Sequence, residues 1–173
     1  MRLSTMPKAA PAAAAHRLLH GAVLQSSIAR DAIEPIAYSR MVAAGFAHHH
    51  QLPIRAADDL VQIVDALVSN ADRHATWPGP GGTIELRLTV IGCSVVIEVT
   101  DPDADHMPVW PCAAAWTDHA LAWLDDPDAD PDDYRFASHG RGLLDVAARA
   151  EAVTTYREGD TKTVRAVLAV DQP

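Results

Sequence analysis

The sequence predicts an α+β fold, a two-layer sandwich in which helices cover one face of a mixed, mainly antiparallel sheet. The first observation is the order of the hydrophobic patterns, which runs helix, helix, hairpin, irregular segment, helix, hairpin. The second is that segments with strand periodicity follow one another in pairs, which favours antiparallel pairing over parallel βαβ crossovers. With 173 residues, of which 49% are hydrophobic, the chain is long enough to build a single core.

The N-terminal part of the chain predicts a tail, a strand and a helix. Residues 1–20 are rich in Ala and Pro, and we predict a flexible tail there, followed by one domain over residues 21–173. Apolar residues within 23–28 indicate an edge strand. Apolar residues at helical spacing over 33–46 predict a helix that ends before Pro53.

The next helix has the strongest pattern in the sequence, because its apolar residues recur at i, i+3, i+4 and i+7. Asp58 and Asp59 are predicted at its start, where carboxylates complement the helix dipole. The Pro- and Gly-rich residues 77–82 stop it. The apolar residues of the stripe are Leu60, Ile63, Val64, Leu67, Val68, Ala71 and Ala75.

The C-terminal part predicts two hairpins separated by an irregular segment and a helix. Alternation over 84–99 predicts a hairpin that turns at Gly92. Residues 101–138 break the regular pattern, and a long irregular insertion of this kind is typical of a functional lid, which we predict over about 104–139. A helix follows over about 140–150, and residues 152–170 predict the closing hairpin.

Charge and composition exclude several classes of function. The net charge is −9, and residues 101–133 hold ten Asp and no Lys or Arg. A chain with this balance and no basic stripe is not expected to bind nucleic acid directly or to bind an anionic membrane. Two cysteines and the lack of a long apolar segment favour a cytoplasmic protein.

Three short segments carry residues with chemical potential. At about 100° per residue, Asn70 lies at the edge of the apolar stripe, where its carboxamide could ligate a hard cation or satisfy a neighbouring backbone group. Asp101-Pro102-Asp103 ends a hairpin strand, either as a carboxylate site or as an ordinary turn. Gly140-Arg141-Gly142 opens a helix, whose free N–H groups can hold a phosphate.

Four segments together resemble the motifs of the GHKL nucleotide-binding family, in the family's order and spacing. Residues 67–75 resemble its N box, 99–103 its first glycine box in an Asp-Pro-Asp form, 139–144 its second glycine box, and 162–164 its Thr-bearing final strand. The resemblance covers residues 23–170 and is strongest to small stand-alone ATP-binding proteins of actinobacteria that are related to anti-sigma factor serine kinases. It implies the Bergerat ATP-binding fold.

The resemblance implies a site that binds ATP and Mg²⁺. Asn70 would ligate the magnesium, Asp101 would accept a hydrogen bond from the adenine amino group, and Thr163 would support that contact. Gly140, Arg141 and Gly142 would surround the phosphates, and Arg73 and His74 would neutralise them. Asp103, beside Asp101, and Leu143, beside Gly142, complete the implied binding residues.

One departure from the family pattern concerns catalysis. The serine kinases of the family carry a general-base Glu four residues before the N-box Asn, and Ala66 stands at that position. A methyl group cannot accept a proton. Asp65 is adjacent in sequence, but it is about 140° around the helix from Asn70 and is expected to point away from the phosphates.

The sequence therefore favours an ATP-binding regulatory protein of the anti-sigma factor type, which acts by nucleotide-dependent protein binding. The expected partner is a sigma factor or an anti-sigma-factor antagonist, and a homodimer is an open possibility. Two alternatives remain: an active serine kinase that phosphorylates such an antagonist, and an interaction scaffold that binds no nucleotide. We expect the acidic lid over 104–139 to be the element that responds to nucleotide.

Overall fold

The computed structural model describes residues 21–29, 34–77, 79, 82–108 and 141–170, and it confirms the α+β fold class. The described part of the chain contains five strands and three helices. In chain order these are β1 (Val23–Ala29), α1 (Pro35–His49), α2 (Ile54–His74), β2 (Thr83–Ile91), β3 (Ser94–Asp101), α3 (Arg141–Arg149), β4 (Ala152–Glu158) and β5 (Thr161–Ala169).

The five strands form one sheet in the order β1-β2-β3-β5-β4, and all four pairings are antiparallel. The predicted hairpins β2–β3 and β4–β5 are both present. Their turns place Gly92 and Gly159 at positive φ, 62° and 59°, where glycine has no Cβ to clash with the backbone. This topology puts β3 and β5 side by side, so the end of β3 lies beside the start of β5.

The core lies between the helices and one face of the sheet. The predicted stripe of α2 is buried from Leu60 to Ala71, while Ala75 is only partly buried. Opposite it, the alternate residues of the two central strands β2 and β3 are buried as their period-2 pattern predicts. The residues of β2 and β3 with at most 2% exposure are Ile84, Leu86, Leu88, Val90, Val95, Ile97 and Val99.

Helix α2 begins four residues before Asp58, directly after Pro53. The prediction that Asp58 and Asp59 lie at the start of this helix and complement its dipole is therefore wrong, because its first turn contains no acidic residue. The physical reason is that Pro53 ends the preceding segment and the Ala56-Ala57 pair that follows it favours helix. Asp59 lies further along α2, where it forms an ion pair with Arg149 of α3.

Several predictions fall on residues outside the described ranges. These are the tail over 1–20, the lid from residue 109 to 139, and Gly140. The described helices include none that is long and apolar enough to cross a membrane.

Candidate functional site

A polar cleft of about 240 Å³ lies between α2 and α3. It brings together five of the residues that the sequence motifs singled out, namely Asn70, Arg73, His74, Gly142 and Leu143. The other lining residues are Gln62, Asp65, Ala66, Ser69 and Asp145. The N-box segment and the start of the helix after the second glycine box therefore face each other in the folded chain.

Helix α2 positions one wall of this cleft. Ala66, Asn70 and His74 follow each other at intervals of four residues, so they form one row along the helix, beside the buried stripe. Asn70 is half-buried, whereas Arg73 and His74 are exposed in the last turn of α2. Asn70 near the core and His74 at the rim are thus in one row, and Arg73 lies beside them in the last turn of α2.

Helix α3 forms the opposite wall, and its described residues, Arg141–Arg149, fall within the helix predicted over about 140–150. A Cβ atom placed on Gly142 would lie 3.6 Å from the Cβ of Ala66, so the two helices approach closely at this point. The first N–H groups of α3 have no acceptor within the helix, which is the general property that lets a helix start bind an anion. For Arg141, only the backbone belongs to the described structure.

Asp65 also borders the cleft, although the helix geometry predicted that it would point away. Its two carboxylate oxygens accept hydrogen bonds from Arg40 of α1, at 2.8 and 2.9 Å. A proton acceptor therefore lies at the cleft, but it is held in a two-pronged ion pair with an arginine.

Asp101, the predicted adenine-binding carboxylate, lies at the end of β3 on the helix-facing side of the sheet and is 3% exposed. Lys162 lies directly opposite on β5, and its Nζ is 3.4 Å from Asp101 Oδ1. The same oxygen accepts a hydrogen bond from the backbone N–H of Asp103 at 3.0 Å. Burial raises the pKa of the Asp101 carboxyl, and the hydrogen bond and Lys162 act against that rise.

Asp103 connects two loops and is 4% exposed. It accepts hydrogen bonds from the backbone N–H of Thr76, at 2.6 Å, and from the backbone N–H of His106, at 3.2 Å. The His106 ring nitrogen Nδ1 also lies 2.8 Å from Asp103 Oδ2. Burial raises the pKa of the Asp103 carboxyl, but these hydrogen bonds outweigh it and hold the pKa well below its usual range. Its carboxylate is therefore engaged with protein, not directed to the cleft.

Thr163 requires a correction. It is paired with Thr100 across β3 and β5, and their hydroxyl oxygens are 2.7 Å apart. Because strand residues alternate between faces, Thr163 lies on the opposite side of the sheet from Asp101. The prediction that Thr163 supports an adenine contact beside Asp101 is therefore wrong. The residue of β5 that faces Asp101 is the preceding one, Lys162.

Sequence reasoning missed Lys162, although a signal was present. Val164, Ala166 and Leu168 are buried against the helices, and the same alternation extended back by two residues places Lys162 on that face. The lysine is 2% exposed and donates a hydrogen bond to the backbone carbonyl of His106 at 2.7 Å.

The cleft and the Asp101 region differ in how well they fit magnesium and ATP. The cleft offers an amide oxygen, two side chains that can be cationic and a helix start, which suits a phosphate group with a hard cation. The Asp101 region already contains an ammonium group at the carboxylate that would bind the base. In the described residues, no three His, Cys, Asp or Glu side chains form a group that could hold a metal ion.

Two comparisons of the sequence gave no match, neither to a protein-family model nor to a curated protein. Among solved structures, the chain is similar to the RsbU and RsbW domains of Rv1364c from Mycobacterium tuberculosis, with a TM-score of 0.56 and 12% identity. That match covers 88% of this chain and 33% of the other, so the chain spans about a third of that protein's length. It is also similar to a chain of the SiaB–SiaC complex from Pseudomonas aeruginosa, with a TM-score of 0.53 and 16% identity, covering 88% of this chain and 90% of the other.

At these identities the likeness is one of fold. The chain shares the α+β fold of these two structures.

Proposed function

We propose that this protein binds magnesium-ATP in the cleft between α2 and α3 and acts as a regulatory protein of the anti-sigma factor type. The observation that carries the proposal is the assembly of Asn70, Arg73, His74 and Gly142 around one cleft, from segments about 70 residues apart in the chain. These residues belong to two separate sequence motifs. Their position around one cleft supports the interpretation that the two motifs form one site.

In this proposal each cleft residue has a distinct task. Asn70 holds the magnesium through its carboxamide oxygen, and Arg73 and His74 neutralise negative charge at the open end of the cleft. The N–H groups at the start of α3 bind phosphate oxygens, and Gly142 leaves room beside Ala66 for that approach. Magnesium, when bound, would reduce the repulsion among the phosphate oxygens.

The output that we propose is nucleotide-dependent binding of a protein partner, a sigma factor or an anti-sigma-factor antagonist. The support is the four-motif resemblance together with the fold shared with the RsbU and RsbW domain structure and the SiaB–SiaC complex structure. For nucleotide to control this binding, the partner has to distinguish the nucleotide-bound state from the free state.

Calorimetric titration with magnesium-ATP tests the proposed site. Arg73→Ala and Asn70→Ala should each weaken binding by about ten- to a hundredfold, because each removes a charge-assisted or metal-directed contact of roughly 1.5–3 kcal/mol. Arg55→Ala is the matched control for Arg73, since Arg55 is exposed on the same helix and does not line the cleft. Absence of binding by the unmodified protein, or equal losses for Arg55→Ala and Arg73→Ala, would contradict the site.

The second candidate is an active serine kinase, and the position of Asp65 at the cleft is the observation that favours it. General-base catalysis contributes about 10²- to 10⁴-fold to rate, so the unmodified protein with Ala66 should transfer phosphate slowly if Asp65 is not the base. Ala66→Glu should then raise phosphorylation of an antagonist substrate or ATP turnover. Rapid transfer by the unmodified protein that is abolished by Asp65→Ala, but not by Arg40→Ala, would establish the kinase instead.

A further inference from the structure

The ammonium group of Lys162 is buried next to the carboxylate that the motif resemblance assigns to the base of the nucleotide. Its Nζ is 3.4 Å from Asp101 Oδ1 and 2.7 Å from the carbonyl oxygen of His106. Lys162 is 2% exposed and Asp101 is 3% exposed, so the pair is shielded from water. The pair faces the helices, on the same side of the sheet as Val99 and Val164.

The loop after β3 closes over this pair. Asp103 is held by Thr76 on one side and by His106 on the other, and these contacts bring the His106 carbonyl oxygen to Lys162. The loop that follows α2 and the loop that follows β3 are thereby joined beside the end of β3 and the start of β5. A ligand that approached Asp101 Oδ1 would therefore meet the lysine.

Asp101 and Lys162 lie outside the cleft between α2 and α3. Neither Asp101 nor Lys162 is among the residues that line it, although the motif resemblance places Asp101 and Asn70 in one nucleotide site. An ammonium group and the amino group of a purine are both N–H donors, and the close burial of Asp101 and Lys162 leaves little space for a second donor beside the first. In the structure, the ammonium group of Lys162 occupies the donor position at the buried Asp101 carboxylate.

We propose that Lys162 is an internal latch on the base-binding part of the site, which has to leave Asp101 before the amino group of a purine can bind there. This inference rests on the proposed function. In the latched state the phosphate cleft between α2 and α3 is formed while the base region is filled. An ammonium that moves out to water is solvated, and Asp101 exchanges an ionic partner for a neutral N–H donor, so its carboxylate keeps a hydrogen bond.

The latch has a measurable effect on affinity. When only a fraction of molecules has the binding-competent arrangement, the apparent dissociation constant increases in proportion to the inverse of that fraction. A latch closed in nine-tenths of the molecules therefore weakens nucleotide binding about tenfold. Replacement of Lys162 by a residue without an ammonium group should therefore strengthen nucleotide binding by about the same factor.

The first experiment compares magnesium-ATP binding by the unmodified protein, Lys162→Met and Lys162→Thr, with folding checked by circular dichroism. Both variants should bind at least about tenfold more tightly. Arg165→Met is the matched control, because Arg165 is on the same strand but on the opposite face, where its guanidinium pairs with Glu98 at 2.9 Å. Arg165→Met should leave nucleotide affinity unchanged.

The second experiment uses the unmodified protein and does not depend on how the variants fold. The chain contains only two lysines, Lys8 and Lys162, so acylation with an amine-reactive ester can be followed for each by mass spectrometry. Lys162 should react slowly in the free protein and at least severalfold faster with saturating magnesium-ATP, with the rate at Lys8 as the internal reference. Unchanged or slower labelling of Lys162 with bound nucleotide would overturn the latch.

The outcomes separate the latch from the proposed function. If the unmodified protein binds magnesium-ATP and the Lys162 variants bind equally or less tightly, the latch is wrong and the proposed function stands. If neither the unmodified protein nor a folded Lys162 variant binds, both are wrong, because opening the base region admitted no nucleotide. If the variants bind more tightly than the unmodified protein, both are supported.

Discussion

At the scale of single residues, the structure separates side chains that face a cleft from side chains that hold the fold. Asn70 and Arg73 line an accessible cleft, whereas the Asp103 carboxylate accepts hydrogen bonds from Thr76 and His106. The motif resemblance placed all three in one site. A carboxylate in a sequence motif can therefore hold two loops together instead of binding a ligand. Its hydrogen-bond partners in the structure distinguish these two roles.

Asp103→Asn should lower the free energy of unfolding at pH 7 by about 1.5–3 kcal/mol, because hydrogen bonds to a buried charged group are lost or weakened. Asp103 has a pKa below its unfolded value, so its contribution is complete above the unfolded pKa and is lost as the pH falls through the folded pKa. The difference between the variant and the unmodified protein should therefore be smaller at pH 3 than at pH 7.

Urea unfolding at the two pH values measures this difference. Asp105→Asn is the control, because Asp105 is exposed in the same loop and its ion pair with Arg157 is at the surface. An equal penalty for Asp103→Asn at both pH values would show that the Asp103 carboxylate does not hold the loops by its charge.

At the scale of elements, the start of α3 decides the width of the cleft. Gly142 approaches Ala66 across the two helices, and a Cβ atom at Gly142 would be in ordinary van der Waals contact at 3.6 Å. The ion pair between Asp59 and Arg149 joins the same two helices further along α3. The separation of α2 and α3 at the proposed phosphate region is thus set by small residues at one end and by a charged contact at the other.

Gly142→Ala should be tolerated and should raise the free energy of unfolding by up to about 1 kcal/mol, because alanine favours helix more than glycine and its Cβ fits. Gly142→Leu should also fold, but its side chain would extend into the cleft and weaken magnesium-ATP binding. Chemical denaturation and calorimetry of the two variants measure these effects. A large loss of stability with Gly142→Ala would mean that the helices approach more closely than the structure shows.

At the scale of the whole molecule, the two faces of the sheet have different roles. The face towards the helices carries the core and ends in the Asp101–Lys162 pair. The other face carries a polar network in which Glu98 accepts hydrogen bonds from Tyr156 and Arg165. A change of one residue in register moves a side chain from one of these environments to the other, which is the difference between Lys162 and Thr163.

Much of the fold was predictable because its signals are local. The apolar stripe of α2, the alternation in β2 and β3, and the glycine turns each depend on residues close in sequence, and all are present in the structure. The start of α2 was predicted too late in the chain, because Asp58 and Asp59 resemble the acidic first turn of a helix. The helix instead begins at Ile54, directly after Pro53.

The sequence by itself determined the α+β class, the order of the elements, and the presence of Asn70 and Gly142 on two segments suited to a phosphate site. Only the tertiary structure decided that these segments face each other, that Asp65 borders the same cleft, and that Lys162 lies against Asp101. The physical reason is that periodicity depends on neighbours along the chain, whereas the charge facing a buried carboxylate depends on strand register and on how a loop folds back over the sheet.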